Sequence, residues 1–226
     1  MFHPLSKGFF ITLEGGEGAG KSSLLELLAT HLRNNGYEVV TTREPGGTQL
    51  GEAIRSLLLD KNGQYPICTQ AELLLFLAAR AQHIEELIRP ALESNKVVLC
   101  DRFNDSTIAY QGAARQIDVK YVHRLCKMIC GAVEPQVTLF LDVDPAVGLQ
   151  RTQKLDKEQA QTGQFDRIES EKMEFHQRVQ ACFHKLARNE PFRIYRIDAN
   201  KPQSYVFKEG VRAIDELLLL PSKRHS

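Results

Sequence analysis

The sequence predicts an α/β fold in which a central parallel sheet is flanked by helices, giving three layers. Short apolar runs alternate along the chain with longer amphipathic stretches, the pattern that builds a parallel sheet covered by helices. Residues 97–100 (VVLC) are few and wholly apolar, as in a strand buried on both faces. A glycine-rich stretch at residues 15–20 joins the first apolar run to the first amphipathic stretch, which places a tight loop between a strand and a helix.

Five short runs rich in apolar residues are predicted strands: residues 9–13, 37–42, 97–100, 137–143 and 193–197. Stretches with apolar residues at helical spacing are predicted helices: residues 22–34, 50–59, 70–95, 119–130, 204–219 and one that starts near Ile168. Gly36 follows the first helix as a stop signal. Because Pro90 lacks a backbone N–H, residues 70–95 form either one kinked helix or two helices.

The composition is that of a globular chain, and residues 1–226 are expected to form one domain, since 42% of them are hydrophobic and 25% charged. The formal net charge is only +1, so we expect no nucleic-acid partner and no membrane surface. No stretch approaches the roughly 18 apolar residues of a membrane span, and the N-terminus lacks a signal peptide, which predicts a cytoplasmic protein. The five cysteines include no C-x-x-C pair, so reduced thiols are expected and no metal is assigned to them.

The glycine-rich stretch fits the phosphate-binding pattern G-x-x-x-x-G-K-[ST]. Its members are Gly15, Gly16, Glu17, Gly18, Ala19, Gly20, Lys21 and Ser22. In such a loop the backbone N–H groups face the phosphates, Lys21 reaches the β and γ oxygens, and the Ser22 hydroxyl serves Mg²⁺. We therefore expect the P-loop NTPase fold, with ATP and Mg²⁺ bound by these residues and by Ser23, which follows them.

Asp101 ends the predicted strand at residues 97–100, where open α/β sheets place their ligands, and is expected to orient the magnesium shell together with Ser22. No N-K-x-D motif occurs, which disfavours a guanine-specific switch. Arginines crowd the predicted loops: Arg43, Arg80, Arg102, Arg151 and Arg167. Such a set counters the charge that ATP and a nucleoside monophosphate bring together. A phosphate acceptor is already largely a dianion at neutral pH, its second pKa being about 6, so no general base is required.

Six segments, in order along residues 8–215, together resemble the thymidylate kinase family. They are Glu17 in the phosphate loop, REPGGT at 43–48, LFLAAR at 75–80, DRF at 101–103, STIAYQG at 106–112 and FDRIE at 165–169. The resemblance implies that ATP·Mg and dTMP give ADP and dTDP by direct in-line transfer, a step in dTTP synthesis. It also implies a homodimer.

The resemblance implies a role for each matching residue. Around the base, Phe76 would stack on thymine, Arg80 would donate to a base carbonyl, and Thr107 and Gln111 would complete the hydrogen-bonding edge. Around the sugar and phosphate, the implied contacts are Tyr110 beside the 2′ carbon, Glu17 at the 3′-hydroxyl, Arg43 and Arg102 at the acceptor phosphate, and Pro45 and Ser106 beside them. The Glu44–Pro45 bond is a candidate for the cis form. The residues implied in catalysis are Lys21, Arg102, Arg151, Glu17 and Asp101.

The polar segment 151–164 resembles the family's mobile lid, which excludes water and brings a cation to the phosphoryl group. Arg151, Lys154 and Lys157 are the available cations, and lysine lacks the guanidinium fork. The alternative that the resemblance implies is Arg151 over adenine, with residues 198–201 as the opposite wall.

Two other functions remain open from the sequence. A nucleoside kinase would need a carboxylate base for a 5′-hydroxyl, and Asp101 is available for that. A nucleotide-binding switch without turnover is the other, and the intact Lys21 and Ser22 with a basic lid speak against it.

Overall fold

The computed structural model describes residue 5 and residues 7–60, 65–158 and 167–218. At its centre is a five-stranded sheet in the order β2-β3-β1-β4-β5, in which all neighbours are parallel. The strands are β1 (Phe9–Gly15), β2 (Val39–Arg43), β3 (Val97–Asp101), β4 (Val137–Asp142) and β5 (Ile194–Asp198). Each predicted strand is therefore confirmed. The order reverses at β1, and the carboxyl end of β1 is thus the topological switch point where such sheets bind ligands.

Helices and two π-helical segments connect the strands. The helices are α1 (Lys21–Asn34), α2 (Gln49–Leu58), α3 (Thr69–His83), α4 (Arg89–Glu93), α5 (Asn104–Thr107), α6 (Val119–Cys130), α7 (Pro145–Glu158), α8 (Met173–Asn189) and α9 (Gln203–Leu218). The π-helical segments are Ile84–Ile88 and Ile108–Ala114. No helix in the described part of the chain is both long and apolar enough to cross a membrane.

The two faces of the sheet carry different helices, which confirms the predicted three layers. On one face, α1 and α9 pack against the sheet, with Leu28 and Ile214 in the same cluster as Leu139. On the other face, α3, α6 and α8 cover the sheet, and Phe140 packs with Phe183. Adjacent residues of β4 thus face opposite layers, as alternation along a strand requires.

The expected loop at residues 151–164 is wrong for its first half, because α7 runs from Pro145 to Glu158. The start signal lies upstream: the Asp144 carboxylate accepts from the backbone N–H of Ala146 at 2.9 Å, and Pro145 takes the first helical position. Residues 159–164 lie outside the described residues. The next helix begins at Met173, and the prediction of a start near Ile168 is also wrong, since residues 167–170 form a turn.

Residues 70–95 are neither one regular helix nor two separate ones. Helix α3 passes through the π-helical segment Ile84–Ile88 into α4, where Pro90 lies in the first turn. Proline provides no N–H and crowds the carbonyl four residues earlier, so the wider turn lies where that crowding occurs. The helical stretch 104–114, made of α5 and a π-helical segment, has no counterpart among the predicted elements.

Candidate active site

The phosphate loop connects β1 to α1 at the switch point of the sheet. Gly20 precedes the helix with a φ of 88°, a conformation that favours glycine, and no side chain caps α1. Its first backbone N–H groups are therefore available to an anion. The Lys21 ammonium folds back over the loop and donates to the Gly16 carbonyl at 2.8 Å. Burial and the nearby Arg102 guanidinium lower the pKa of Lys21.

Ser22 and Asp101 form the arrangement expected at a cation site. The Ser22 hydroxyl donates to Asp101 Oδ2 at 2.9 Å. The other carboxylate oxygen, Oδ1, is buried and has no hydrogen-bond partner. A buried oxygen without a partner fits the coordination shell of a hard divalent cation. The described residues contain no group of three or more His, Cys, Asp or Glu side chains around one point, so phosphate oxygens and water would complete that shell.

Arg102 and Glu17 form an ion pair at the edge of the phosphate loop. Arg102 Nη2 donates to Glu17 Oε1 at 2.7 Å, and the Tyr110 hydroxyl donates to the same oxygen at 2.8 Å. Arg102 Nη1 also donates to Ser106 Oγ at 3.2 Å. Burial opposes the charge of Glu17, but Arg102 and Lys21 outweigh it and lower the pKa of Glu17 to about 2. Glu17 is thus a carboxylate at neutral pH.

Arg80 lies in the pocket that Glu17 and Arg102 also line, and only 1% of its surface is exposed. Side chains contact its guanidinium group from several sides. Its Nε donates to Glu44 Oε2 at 2.7 Å, Nη1 to Asn104 Oδ1 at 2.9 Å, and Nη2 to Thr107 Oγ1 at 2.9 Å. The sulfur of Cys126 lies 3.8 Å from Nη1 and takes its second hydrogen. Of the five guanidinium N–H groups, one on Nη2 remains. Arg80 is therefore fixed in place and presents a single free donor.

The loop after β2 forms a wall of this pocket. The Glu44–Pro45 peptide bond, which the sequence left open between cis and trans, is cis. Glu44 Oε1 lies 3.0 Å from Nδ1 of the buried His83, whose Nε2 lies 2.7 Å from Thr42 Oγ1. The Pro45 carbonyl accepts from Arg55 Nη1 at 2.9 Å. Contacts from two helices thus hold the loop in position.

Nine of the ten residues predicted to bind the acceptor line one pocket: Glu17, Pro45, Phe76, Arg80, Arg102, Ser106, Thr107, Tyr110 and Gln111. Arg43 is the exception and lines a neighbouring depression with Ser22 and Asp101, where its Nη2 pairs with Glu52 at 3.0 Å. The register explains this, because Arg43 ends the edge strand β2 directly opposite Asp101.

A second depression borders the other side of the phosphate loop. Arg151 and Lys154 line it with Gly18, Ala19, Gly20 and Ser23, and residues 199–203 close the opposite side. Arg151 Nη1 donates to the Ala199 carbonyl at 2.9 Å, so it lies against this wall and not over the acceptor pocket. The Lys157 side chain lies outside the described side chains.

Four polar residues around the acceptor pocket were missed from the sequence. Glu44 and Arg55 line the pocket, while Glu72 and His83 are buried behind it. A signal for the last two was present, because Glu72, Phe76, Arg80 and His83 recur at helical spacing and share one face of α3. Polar residues on an otherwise apolar helix face indicate buried partners.

A phosphate loop at the sheet's switch point, a serine–aspartate pair beside it that fits a divalent cation, and depressions on its two sides define a P-loop kinase. The profile of the family described as Thymidylate kinase matches residues 13–209. The thymidylate kinase of Protochlamydia amoebophila is 61% identical over 210 residues, covering 93% of each chain. That of a Synechococcus strain is 50% identical over 190 residues, covering 84% of this chain and 87% of the relative. The crystal structure of thymidylate kinase from Ehrlichia chaffeensis superposes with a TM-score of 0.71 at 34% identity, covering 92% of this chain and 98% of that one. The chain belongs to the thymidylate kinase family.

Proposed function

We propose that this protein transfers the γ-phosphoryl group of ATP to dTMP, giving ADP and dTDP for dTTP synthesis. The observation that carries the proposal is the set of hydrogen-bonding groups at the closed end of the acceptor pocket. Arg80 keeps one free N–H there, Thr107 keeps its hydroxyl hydrogen, and Gln111 contributes an amide. Thymine offers a carbonyl at position 4 and an N–H at position 3. Two donors beside an amide oxygen match that edge, while cytosine presents the reverse pattern.

The remainder of the pocket suits a deoxyribose and a phosphate. Phe76 provides an aromatic face for the base. Glu17, ionised and lying beside the loop, is placed to accept from the 3′-hydroxyl. Tyr110 is buried over Arg102, with the guanidinium carbon 4.9 Å from the ring centroid, and fills the space that a 2′-hydroxyl would need. Arg102 and Ser106 then meet the acceptor phosphate, and Arg55 lies on the same wall.

The chemical step requires alignment and charge neutralisation. An oxygen of the dTMP phosphate attacks the γ-phosphorus, and the bond from that phosphorus to the β,γ-bridging oxygen breaks, leaving ADP. Lys21 neutralises charge on the β and γ oxygens, and Arg102 holds the acceptor in line. Because the acceptor is already an anion, Asp101 is not needed as a base. The family's use of ATP generally requires a divalent metal, and we propose Mg²⁺, held by Ser22 and Asp101. Its positive charge would stabilise the transferring phosphoryl group.

We further propose that residues 1–226 form one kinase domain, with residues 151–164 as its lid. The contact of Arg151 with the Ala199 carbonyl supports a place beside the adenine. Lys154 is exposed on the same helix. Among the lid cations whose side chains the structure describes, Lys154 is then the one that can approach the phosphates. The buried free thiols support a cytoplasmic location.

A homodimer is part of the same proposal. Leu57 of α2, Leu74 of α3 and Met128 of α6 are 43%, 60% and 69% exposed, respectively. Helix α3 packs against both α2 and α6, so these side chains lie on neighbouring helices. An apolar surface of this kind supports pairing with a second copy. The oligomeric state in solution, measured by light scattering, tests it.

The test of function is ADP release from ATP and Mg²⁺ with dTMP, dUMP, dCMP, AMP and thymidine in turn. We expect strong turnover with dTMP, weaker turnover with dUMP and none with thymidine. The thymine methyl is worth about 1 to 3 kcal/mol in a pocket, so dUMP is a poorer substrate and not an inert one. Turnover of thymidine would identify a nucleoside kinase instead. ATP binding without turnover of any of the five would identify a switch.

A further inference from the structure

We infer that Glu72 is a positioning residue that orients the Gln111 amide, so that the acceptor pocket selects a base carrying a hydrogen at N3. The inference deepens the proposed function and rests on it, because it places the dTMP base against Gln111. Glu72 itself lies behind the pocket wall and touches Gln111 directly. It therefore acts on the base through Gln111.

The contact between the two side chains fixes the direction of the amide. Gln111 Nε2 donates to Glu72 Oε1 at 2.8 Å, and each residue is only 1% exposed. The oxygen and nitrogen of a glutamine amide are normally assigned from their partners. Here the partner decides the assignment, since a carboxylate accepts hydrogen bonds and cannot donate them. The nitrogen must face Glu72, and the amide oxygen is left for the base.

Two arginines keep Glu72 in the accepting form. Arg115 Nε donates to Oε1 at 3.1 Å, and Arg167 Nη1 lies 2.7 Å from Oε2. Burial disfavours the charge, but the hydrogen bond from Gln111 and the two guanidinium groups outweigh it and lower the pKa of Glu72. Arg167 also donates from Nε to the Leu58 carbonyl at 2.9 Å, which fixes it in turn. Glu72 is therefore an acceptor throughout the neutral range.

The consequence is a selection on one atom of the base. Thymine and uracil carry a hydrogen at N3, which the Gln111 oxygen can accept. Cytosine has a lone pair there, so two acceptors would meet in a site closed to water and both would stay unpaired. Buried polar groups left without partners discriminate strongly between ligands of nearly equal size. Without Glu72 to hold it, the amide can turn over and donate its N–H to the cytosine lone pair.

The test compares dTMP with 5-methyl-dCMP, which differ only at positions 3 and 4 of the base. In Glu72→Gln the new amide can donate as well as accept, so Gln111 is free to turn. We expect kcat/KM for dTMP to fall about 10- to 100-fold, through KM for dTMP and not KM for ATP. The ratio of kcat/KM for dTMP to that for 5-methyl-dCMP should narrow at least tenfold. Some preference for dTMP should remain, because the 4-amino group of 5-methyl-dCMP still faces the donors of Arg80 and Thr107.

Glu171→Gln is the matched control. Glu171 also pairs with Arg115 but does not contact Gln111 in the structure, so the substrate ratio should stay at the wild-type value. If the ratio in Glu72→Gln stays at the wild-type value, whether kcat/KM is unchanged or falls by the same factor for both substrates, the inference is overturned. If Glu72→Gln does not fold, Gln111→Met replaces it, since that variant removes the amide and leaves Glu72 with its arginines. A wild-type ratio in Gln111→Met likewise overturns the inference. Failure of the proposed function would appear separately, as wild-type protein that does not turn over dTMP.

Discussion

Gly148 allows helix α7 to lie directly on the phosphate loop. A Cβ atom built on Gly148 would lie 2.2 Å from the Glu17 carbonyl oxygen, and one built on Gly18 would lie 2.0 Å from the Gly148 carbonyl oxygen. Cβ contacts shorter than 3.0 Å are essentially never seen, so Gly148→Ala must shift one of the two backbones by about 0.8 Å or more. The atoms that move are the backbone of the phosphate loop or the start of the helix that carries Arg151. A misplacement of about 1 Å near reacting groups can lower a rate about 100-fold.

We therefore expect Gly148→Ala to lower kcat/KM about 100-fold in an ADP-release assay, with KM for ATP affected more than KM for dTMP. Gly210→Ala is the control, because Gly210 also lies inside a helix. The nearest atoms to its Cβ would be side-chain carbons of Leu24, Leu28 and Leu139 at 3.5 to 3.6 Å, which are ordinary contacts. That variant should keep its activity and gain up to about 1 kcal/mol of stability from helix propensity. If Gly148→Ala matches the activity of Gly210→Ala, the phosphate loop does not depend on this close approach.

Three further predictions concern single side chains. Lys21→Ala should lower turnover by orders of magnitude with a melting temperature near the wild-type value, and activity near wild type would rule out the proposed phosphate contact. Arg80→Ala should raise KM for dTMP and leave KM for ATP unchanged, and an effect on ATP alone would contradict the site assignment. The same variant should destabilise the fold by about 3 to 5 kcal/mol, because Glu44 loses its buried guanidinium partner and keeps only His83. Burial and the neighbouring Asp105 raise the pKa of Glu14 to about 8 from 4.5, so the folded state binds this proton more tightly than the unfolded state does. The free energy of unfolding should therefore fall as the pH rises from about 4.5 to about 8, and thermal melts of Glu14→Gln should show a smaller fall than wild type over that range.

The sequence was sufficient for the sheet and the phosphate loop because both depend on local signals. Short apolar runs locate all five strands, and the spacing from Gly15 to Ser22 places the loop between β1 and α1. The acceptor pocket followed from the resemblance, and the structure brings nine of its ten residues together. Arg43 lies at the end of the edge strand β2, opposite Asp101, and lines a neighbouring depression, so its contact with the acceptor phosphate stays a prediction.

The wrong prediction of a loop at residues 151–164 has a different origin. Residues 151–158 are polar, and polarity alone suggested a loop. The capping aspartate and the proline at the helix start lie six to seven residues earlier, at Asp144 and Pro145, and they outweigh the weak apolar periodicity of the segment. Burial of Glu72 and His83 was missed because their partners are remote: Gln111 lies 39 residues from Glu72, and Glu44 lies 39 residues from His83.

The ion pairs around the acceptor pocket share one design. Arg80 pairs with Glu44, Arg102 with Glu17, and Arg167 with Glu72. Each guanidinium is therefore oriented by a protein carboxylate, and the polar groups around the substrate need little reorganisation during transfer. Buried pairs of this kind add little net stability, whereas removal of one partner leaves the other charge uncompensated. These pairs therefore serve mainly to orient the guanidinium groups. Replacing both members of a pair with apolar residues should cost less stability than replacing one member. Activity should be lost in either case.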